Sequence, residues 1–144
     1  MTKTFPSKVS YGLLLVLFLL FFGPIVFTWH ESPDNLALTF MVVHFISFVY
    51  VVYTIVKTNY KIDGDLLKVN NVFFTYPSIH ISSIKKISKT NSIMASPAPS
   101  LNRIKIYYGI NNSIILSPKD KSSFFEALKK INPDIEFGRS LNFV

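Results

Sequence analysis

Along the chain the apolar positions change rhythm twice. From Tyr11 to Val56 they form two near-continuous runs, YGLLLVLFLLFFGPIVFTW and LALTFMVVHFISFVYVVYTIV, and neither run contains Asp, Glu, Lys or Arg. An α-helix rises about 1.5 Å per residue and a bilayer's hydrocarbon core is about 30 Å thick, so roughly 20 apolar residues span it. Both runs reach that length, which predicts transmembrane helices over 11–29 and 36–56 joined by a short extracytoplasmic loop over 30–35. Gly23 and Pro24 predict a kink late in the first helix. Trp29 then falls where an amphipathic ring suits the membrane interface.

After Lys57 the period drops to two. Tyr60 and Ile62 alternate with Lys61 and Asp63, and Leu67 and Val69 with Lys68 and Asn70, so Asp63-Gly64-Asp65 reads as the turn of a β-hairpin. A third extended segment, Val72 to Ile81, is interrupted at Pro77, which cannot donate to a sheet ladder and marks an edge or bulge. Ile84 to Thr90 reads as a fourth strand, Asn91 to Asn102 as a loop, and Arg103 to Tyr108 and Ser113 to Ser117 as a pair joined by a turn over Gly109 to Asn112.

The second change of rhythm is to a helical period. Ser117 stands as an N-cap with Pro118 at the first helical position and Asp120 in the first turn, and Phe124, Phe125, Leu128 and Ile131 share one face. Asn132 and Pro133 end this helix. About six strands and one amphipathic helix predict a strongly bent antiparallel sheet or partial barrel that the helix covers. The fold class is therefore an α+β membrane protein, a two-helix hairpin followed by a small domain over 57–137 and a tail over 138–144.

Charge assigns sides. The 144 residues carry 15 Lys and Arg against 8 Asp and Glu, and the part from Lys57 onward holds 13 of the bases and 6 of the acids. Lys3, Lys8, Lys57 and Lys61 flank the hairpin while Glu31 and Asp34 lie in its connection. By the positive-inside rule both termini are expected in the cytoplasm of a bacterial cell and the loop outside. Residues 1–10 are expected to form a cytoplasmic N-terminal segment before an uncleaved anchor, since no small-residue cleavage site follows the first run.

Candidate chemistry is sparse. There is no cysteine, and no GxGxxG, Walker loop, HExxH or GxSxG motif is present, so neither a disulfide nor a thiolate site is expected and the chain is read as non-enzymatic, without cofactor or metal. His44 sits mid-membrane, where an ionisable group is a functional candidate; the plainer reading is a neutral imidazole bonded to Thr39, Ser47 or a backbone carbonyl. His30, Glu31 and Asp34 could hold a metal weakly but are commoner as a solvated turn, and His80 reads as a surface strand residue.

The segments YKIDGDLLKV, IKKISKTNSIMASPAPSLNRIKIYYG and SPKDKSSFFEALKKINPDI together resemble the YyaB-like bacterial PH domain family, over about residues 59 to 135. The resemblance implies a PH-like partial barrel closed by the C-terminal helix, often carried behind two membrane helices. It raises an association with protection against bacteriocins and brings no defined activity. Phosphoinositide-binding PH domains hold phosphate with bases on the first hairpin, whereas the turn here is acidic.

A looser contact with anionic lipid is expected through Lys57, Lys61, Lys85, Lys86, Lys89, Arg103 and Lys105, because juxtamembrane bases gain about 1 kcal/mol each near such a surface. If Ile84, Ile104 and Ile106 point inward, Lys85, Arg103 and Lys105 point outward. The bland alternative is a solvated basic face. No nucleic-acid motif accompanies the bases. Two function classes remain: a membrane-anchored module that contacts a protein or anionic lipid, and a bacteriocin-immunity or stress-protection protein whose hairpin is the working part.

Overall fold

The computed structural model describes residues 2–31, 35–72, 76–92, 98–138 and 141, and for residues 27–31 and 35–37 the backbone alone. The connection that carries Asp34, and with it the metal reading of that loop, lies outside the described residues.

The chain begins with a strand, not with a free segment. Strand β1 (Thr2–Pro6) precedes helices α1 (Tyr11–Glu31) and α2 (Asn35–Val56), and strand β2 (Asn59–Asp63) follows them. β1 and β2 pair antiparallel, Thr2 opposite Asp63 and Pro6 opposite Asn59. The helical hairpin is thus an insertion between two adjacent strands of one sheet. Residues 1–10 are expected as a separate N-terminal segment, but Thr2–Pro6 within them supply an edge of the domain.

β2 turns through Gly64 and Asp65 into β3 (Leu66–Asn70), with Asp63 opposite Leu66. Glycine stands at the first central position with φ +59°, a conformation that costs an L side chain. β3 pairs with the short β4 (Ile79–His80), completing a sheet in the order β1-β2-β3-β4. Tyr60, Ile62, Leu67 and Val69 are buried, as the period of two predicts.

A single 3-10 turn, Ile81–Ser83, carries the chain into the second sheet, whose order is β7-β6-β5-β8. Its strands are β5 (Ile84–Thr90), β6 (Arg103–Tyr108), β7 (Asn112–Leu116) and the two-residue β8 (Glu136–Phe137), which pairs parallel with β5 and was not anticipated. A bulge between Ile84 and Lys86 explains why β5 breaks strict alternation.

The two sheets are stitched at a second corner. Ser7 bridges Pro118, Lys8 N donates to Ser117 O at 2.7 Å and Lys119 N donates to Pro6 O at 3.0 Å. The edges β1 and β7 are thereby joined, which realises the partial barrel.

Helix α3 (Lys121–Ile131) packs over it. The expected start at Pro118, with Ser117 as cap, moves to Lys121. Pro118 is spent on the bridge to Ser7, and the cap is Asp120, whose carboxylate accepts from Ser123 N and Ser123 Oγ. Phe124, Phe125 and Leu128 are buried, but Ile131 is half open at the end of the helix. Phe124 meets β1 directly, its ring 5.2 Å from that of Phe5 in an edge-on contact. At the other end Asn132 Nδ2 donates to the carbonyls of Ile81 and Ile84.

α1 continues through Pro24 to Glu31. α2 lays Phe48 among Phe18, Phe21 and Phe22 of α1, with ring centroids 5.4 to 5.8 Å apart. Polar side chains in α2 are satisfied locally: His44 Nδ1 donates to Phe40 O at 2.8 Å and Ser47 to Val43 O at 2.8 Å. Among the described residues one helix, Leu38–Val56, is long and apolar enough to cross a membrane, and the described apolar stretch of α1, Tyr11–Val26, is shorter.

Candidate membrane-facing surface

The root of the hairpin is short and tightly bonded. Only Lys57 and Thr58 separate α2 from β2, and Thr58, 1% exposed, donates its hydroxyl to Thr54 O at 3.1 Å, satisfying a carbonyl in the last turn of α2. Asn71 Nδ2 donates in turn to Thr58 Oγ1 at 2.9 Å. On the entering side Ser7 N donates to Thr58 O and Ser10 N to Pro99 O, so the loop before β6 lies against the start of α1.

Beneath this root sits Tyr60, fully buried, with its hydroxyl 3.0 Å from Ser7 Oγ and accepting from Ser117 N at 3.0 Å. Ser7 Oγ also donates to Ser117 O and lies 3.0 Å from Ser117 Oγ. Burial raises the Tyr60 pKa above its ordinary value, opposed by the hydrogen bonds from Ser7 and Ser117. One phenol and two serines therefore tie together β1, β2 and the segment after β7.

The seven bases expected to form one contact face do not lie together. β1 runs from the Gly64 turn toward the hairpin, which gives the domain a near end and a far end. Lys85 and Lys86 are exposed at the start of β5, the far end, and Lys86 pairs in register with Glu136. Lys61, midway along β2, faces Thr4 and Lys68 across the sheet, and Lys105 lies over the Tyr107 ring at 5.0 Å. Lys57 and Lys89 are exposed near the hairpin.

Arg103 is a correction. It is 8% exposed, not outward in solvent, because the loop before β6 folds over the outer side of the sheet there. Its Nε donates to Ser100 O at 2.7 Å and its Nη1 to Ser92 O at 2.8 Å.

Sequence reasoning missed Lys8, Lys119 and Lys121 as parts of a surface. Lys119 and Lys121 were legible only within the segment that carries the family resemblance, and Lys8 only as a topology signal. In the fold Lys121 opens α3 and donates to Asn102 Oδ1, while Lys8 follows β1 and Lys89 is the last residue but one of β5. Desolvation, and after it the positive charges of Lys89 and Lys8, lower the Lys121 pKa. Lys8 is bonded to Ser117, the residue after β7, Lys89 stands opposite Ile104 and Lys121 is bonded to Asn102, so the three belong to the near end of the barrel.

Acids collect at the opposite end. Both ion pairs among the described residues, Lys68 with Asp63 and His80 with Asp65, each 3.1 Å, stand beside the Gly64 turn. There Asp65, His80 and Ser82 come together, Ser82 Oγ donating to Asp65 Oδ2 at 2.9 Å and His80 Nδ1 lying 3.1 Å from the same oxygen. Ser82 N also donates to Asp65 Oδ1. These bonds hold the Asp65 carboxyl below its ordinary range, the Ser82 backbone N–H first, and fasten the turn to the corner between the sheets.

The family model for the bacterial PH domain matches residues 58–132, which is β2 through α3 and more than half of the chain. The inserted helices and β1 lie outside that match. No curated protein and no solved structure matches the chain.

Proposed function

We propose, for a chain that belongs to the bacterial PH domain family, that it is a non-enzymatic integral membrane protein holding its PH-like domain against the cytoplasmic face of a bacterial membrane, where the domain works by contact. The observation that carries this reading is the exposure of the inserted helices. Leu15, Leu19, Phe45 and Ile46 are 57 to 63% exposed, and only 6% of the Leu38–Val56 span is buried. An apolar surface of this extent needs a non-aqueous cover, which a bilayer supplies.

The pairing of β1 with β2 adds a geometric condition. If both helices cross the membrane, the strands before and after them stand on the same side, and the bases that flank them place that side in the cytoplasm. The connections at the root are too short and too well bonded for the domain to swing freely, so its near end faces the headgroups. The order of the three matching segments also resembles the YyaB-like group of bacterial PH domains, which supports the same arrangement.

Alkaline carbonate extraction of membranes from cells producing the full chain tests the reading. The protein is expected to stay in the pellet and to enter solution only with detergent; release by carbonate alone would overturn the proposal.

A further inference from the structure

The basic residues sort along the axis of the domain in a way that the sequence does not display. At the far end Asp63, Asp65, Asp134 and Glu136 accompany Lys68, Lys85 and Lys86, with Lys61 midway along β2. At the near end stand Lys8, Lys57, Lys89, Lys119 and Lys121, and no ion pair is made there among the described residues. The acid nearest to them, Asp120, has its carboxylate engaged by Ser123 N and Ser123 Oγ.

Three of these lysines come from separate elements that adjoin the start of α3. Lys8 is fixed by its backbone bond to Ser117 O, Lys121 by its bond to Asn102, and Lys89 by pairing in register with Ile104. With one carboxylate, Asp120, among five lysines, the near end keeps an excess of positive charge that a bound phosphate would offset. Around them are groups suited to a membrane interface. Tyr11, the first residue of α1, is 86% exposed and Leu101 is 57% exposed, in the loop whose Pro99 accepts from Ser10 N.

We propose that Lys8, Lys89 and Lys121 form a seat for the phosphate of an anionic phospholipid headgroup in the leaflet beneath the domain, with Lys57 and Lys119 on its rim. The occupant follows from position, because the seat is continuous with the root of the hairpin and the first phosphates it meets are those of the bilayer. The proposal rests on the membrane-anchored reading above. It differs from a general basic face in predicting that Lys85 and Lys86, which point away from the membrane end, do not contribute.

The test uses the full chain in nanodiscs of phosphatidylcholine containing a trace of spin-labelled phosphatidylglycerol or spin-labelled phosphatidylcholine, with the motionally restricted fraction of each label as the readout. Each lysine near an anionic surface is worth roughly a fivefold preference. The wild type is expected to favour phosphatidylglycerol at least fivefold, the Lys8→Gln, Lys89→Gln, Lys121→Gln variant to show near parity, and the corresponding triple Arg variant to keep the preference.

A Lys3→Gln, Lys85→Gln, Lys86→Gln variant is expected to match wild type. An undiminished preference in the first Gln variant, or an equal loss in the second, overturns the seat. Failure of the anchor would appear separately, as a chain that carbonate releases. Sedimentation of that chain with phosphatidylglycerol vesicles then decides the matter: loss in the first Gln variant alone supports the seat, and any other pattern overturns it.

Discussion

Phe5 and Phe124 meet edge to face with ring centroids 5.2 Å apart, a contact between the strand that precedes the two long helices and the helix that covers the domain. It joins opposite ends of the chain inside one core, where Phe5 is 8% exposed and Phe124 fully buried. Truncating either ring should cost about 3 to 5 kcal/mol. The double variant should fall short of the sum by about 0.5 to 1.5 kcal/mol, the extra worth of an aromatic pair. Denaturant unfolding of the domain in the detergent-solubilised chain measures this, and a Phe5→Ala variant as stable as wild type would detach β1 from the core.

The Tyr60 hydroxyl predicts a smaller and more local effect. Tyr60→Phe keeps the ring but leaves the buried Ser117 N–H without its acceptor, a penalty of about 1 to 3 kcal/mol. Amide exchange at Ser117 should accelerate more than exchange at the far end of the sheet. A Tyr60→Phe chain with unchanged stability would mean that the corner is held by the backbone bonds of Lys8 and Lys119 alone.

The alternation around Ile62 and Leu67 made the first hairpin readable, because each side chain faces either a packed core or solvent and the sequence records which. β1 was not readable. TKTFP is short and largely polar, and its partner lies beyond both long helices, so no local pattern announces the pairing. Arg103 misled for a related reason: alternation fixes the side of the sheet but not what covers that side, and here the loop through Ser92 and Ser100 does. The grouping of Lys89 with Lys8 and Lys121 escaped notice because the three belong to separate elements that only the closed barrel brings together.

Acid should weaken the far corner. The Asp65 carboxyl is held below its ordinary value of 3.8 by hydrogen bonds that exist only in the folded state. Its contribution is therefore complete above that value and is lost as pH falls through the lower, folded value. Wild type should lose stability in that window, and Asp65→Asn should lose less over the same window while being weaker at neutral pH. Identical acid profiles for the two would show that Asp65 does not fasten the turn.

The most direct test of the account is the sidedness of three positions, since the chain has no cysteine of its own. Single variants Thr2→Cys, Pro33→Cys and Ile110→Cys, each in the full chain, are exposed to a membrane-impermeant maleimide in intact cells and again after the membrane is opened. The account expects Pro33→Cys to react in intact cells, and Thr2→Cys and Ile110→Cys to react only after opening. Equal reactivity at all three positions, or Thr2 and Ile110 on opposite sides, would contradict a membrane hairpin inserted between β1 and β2.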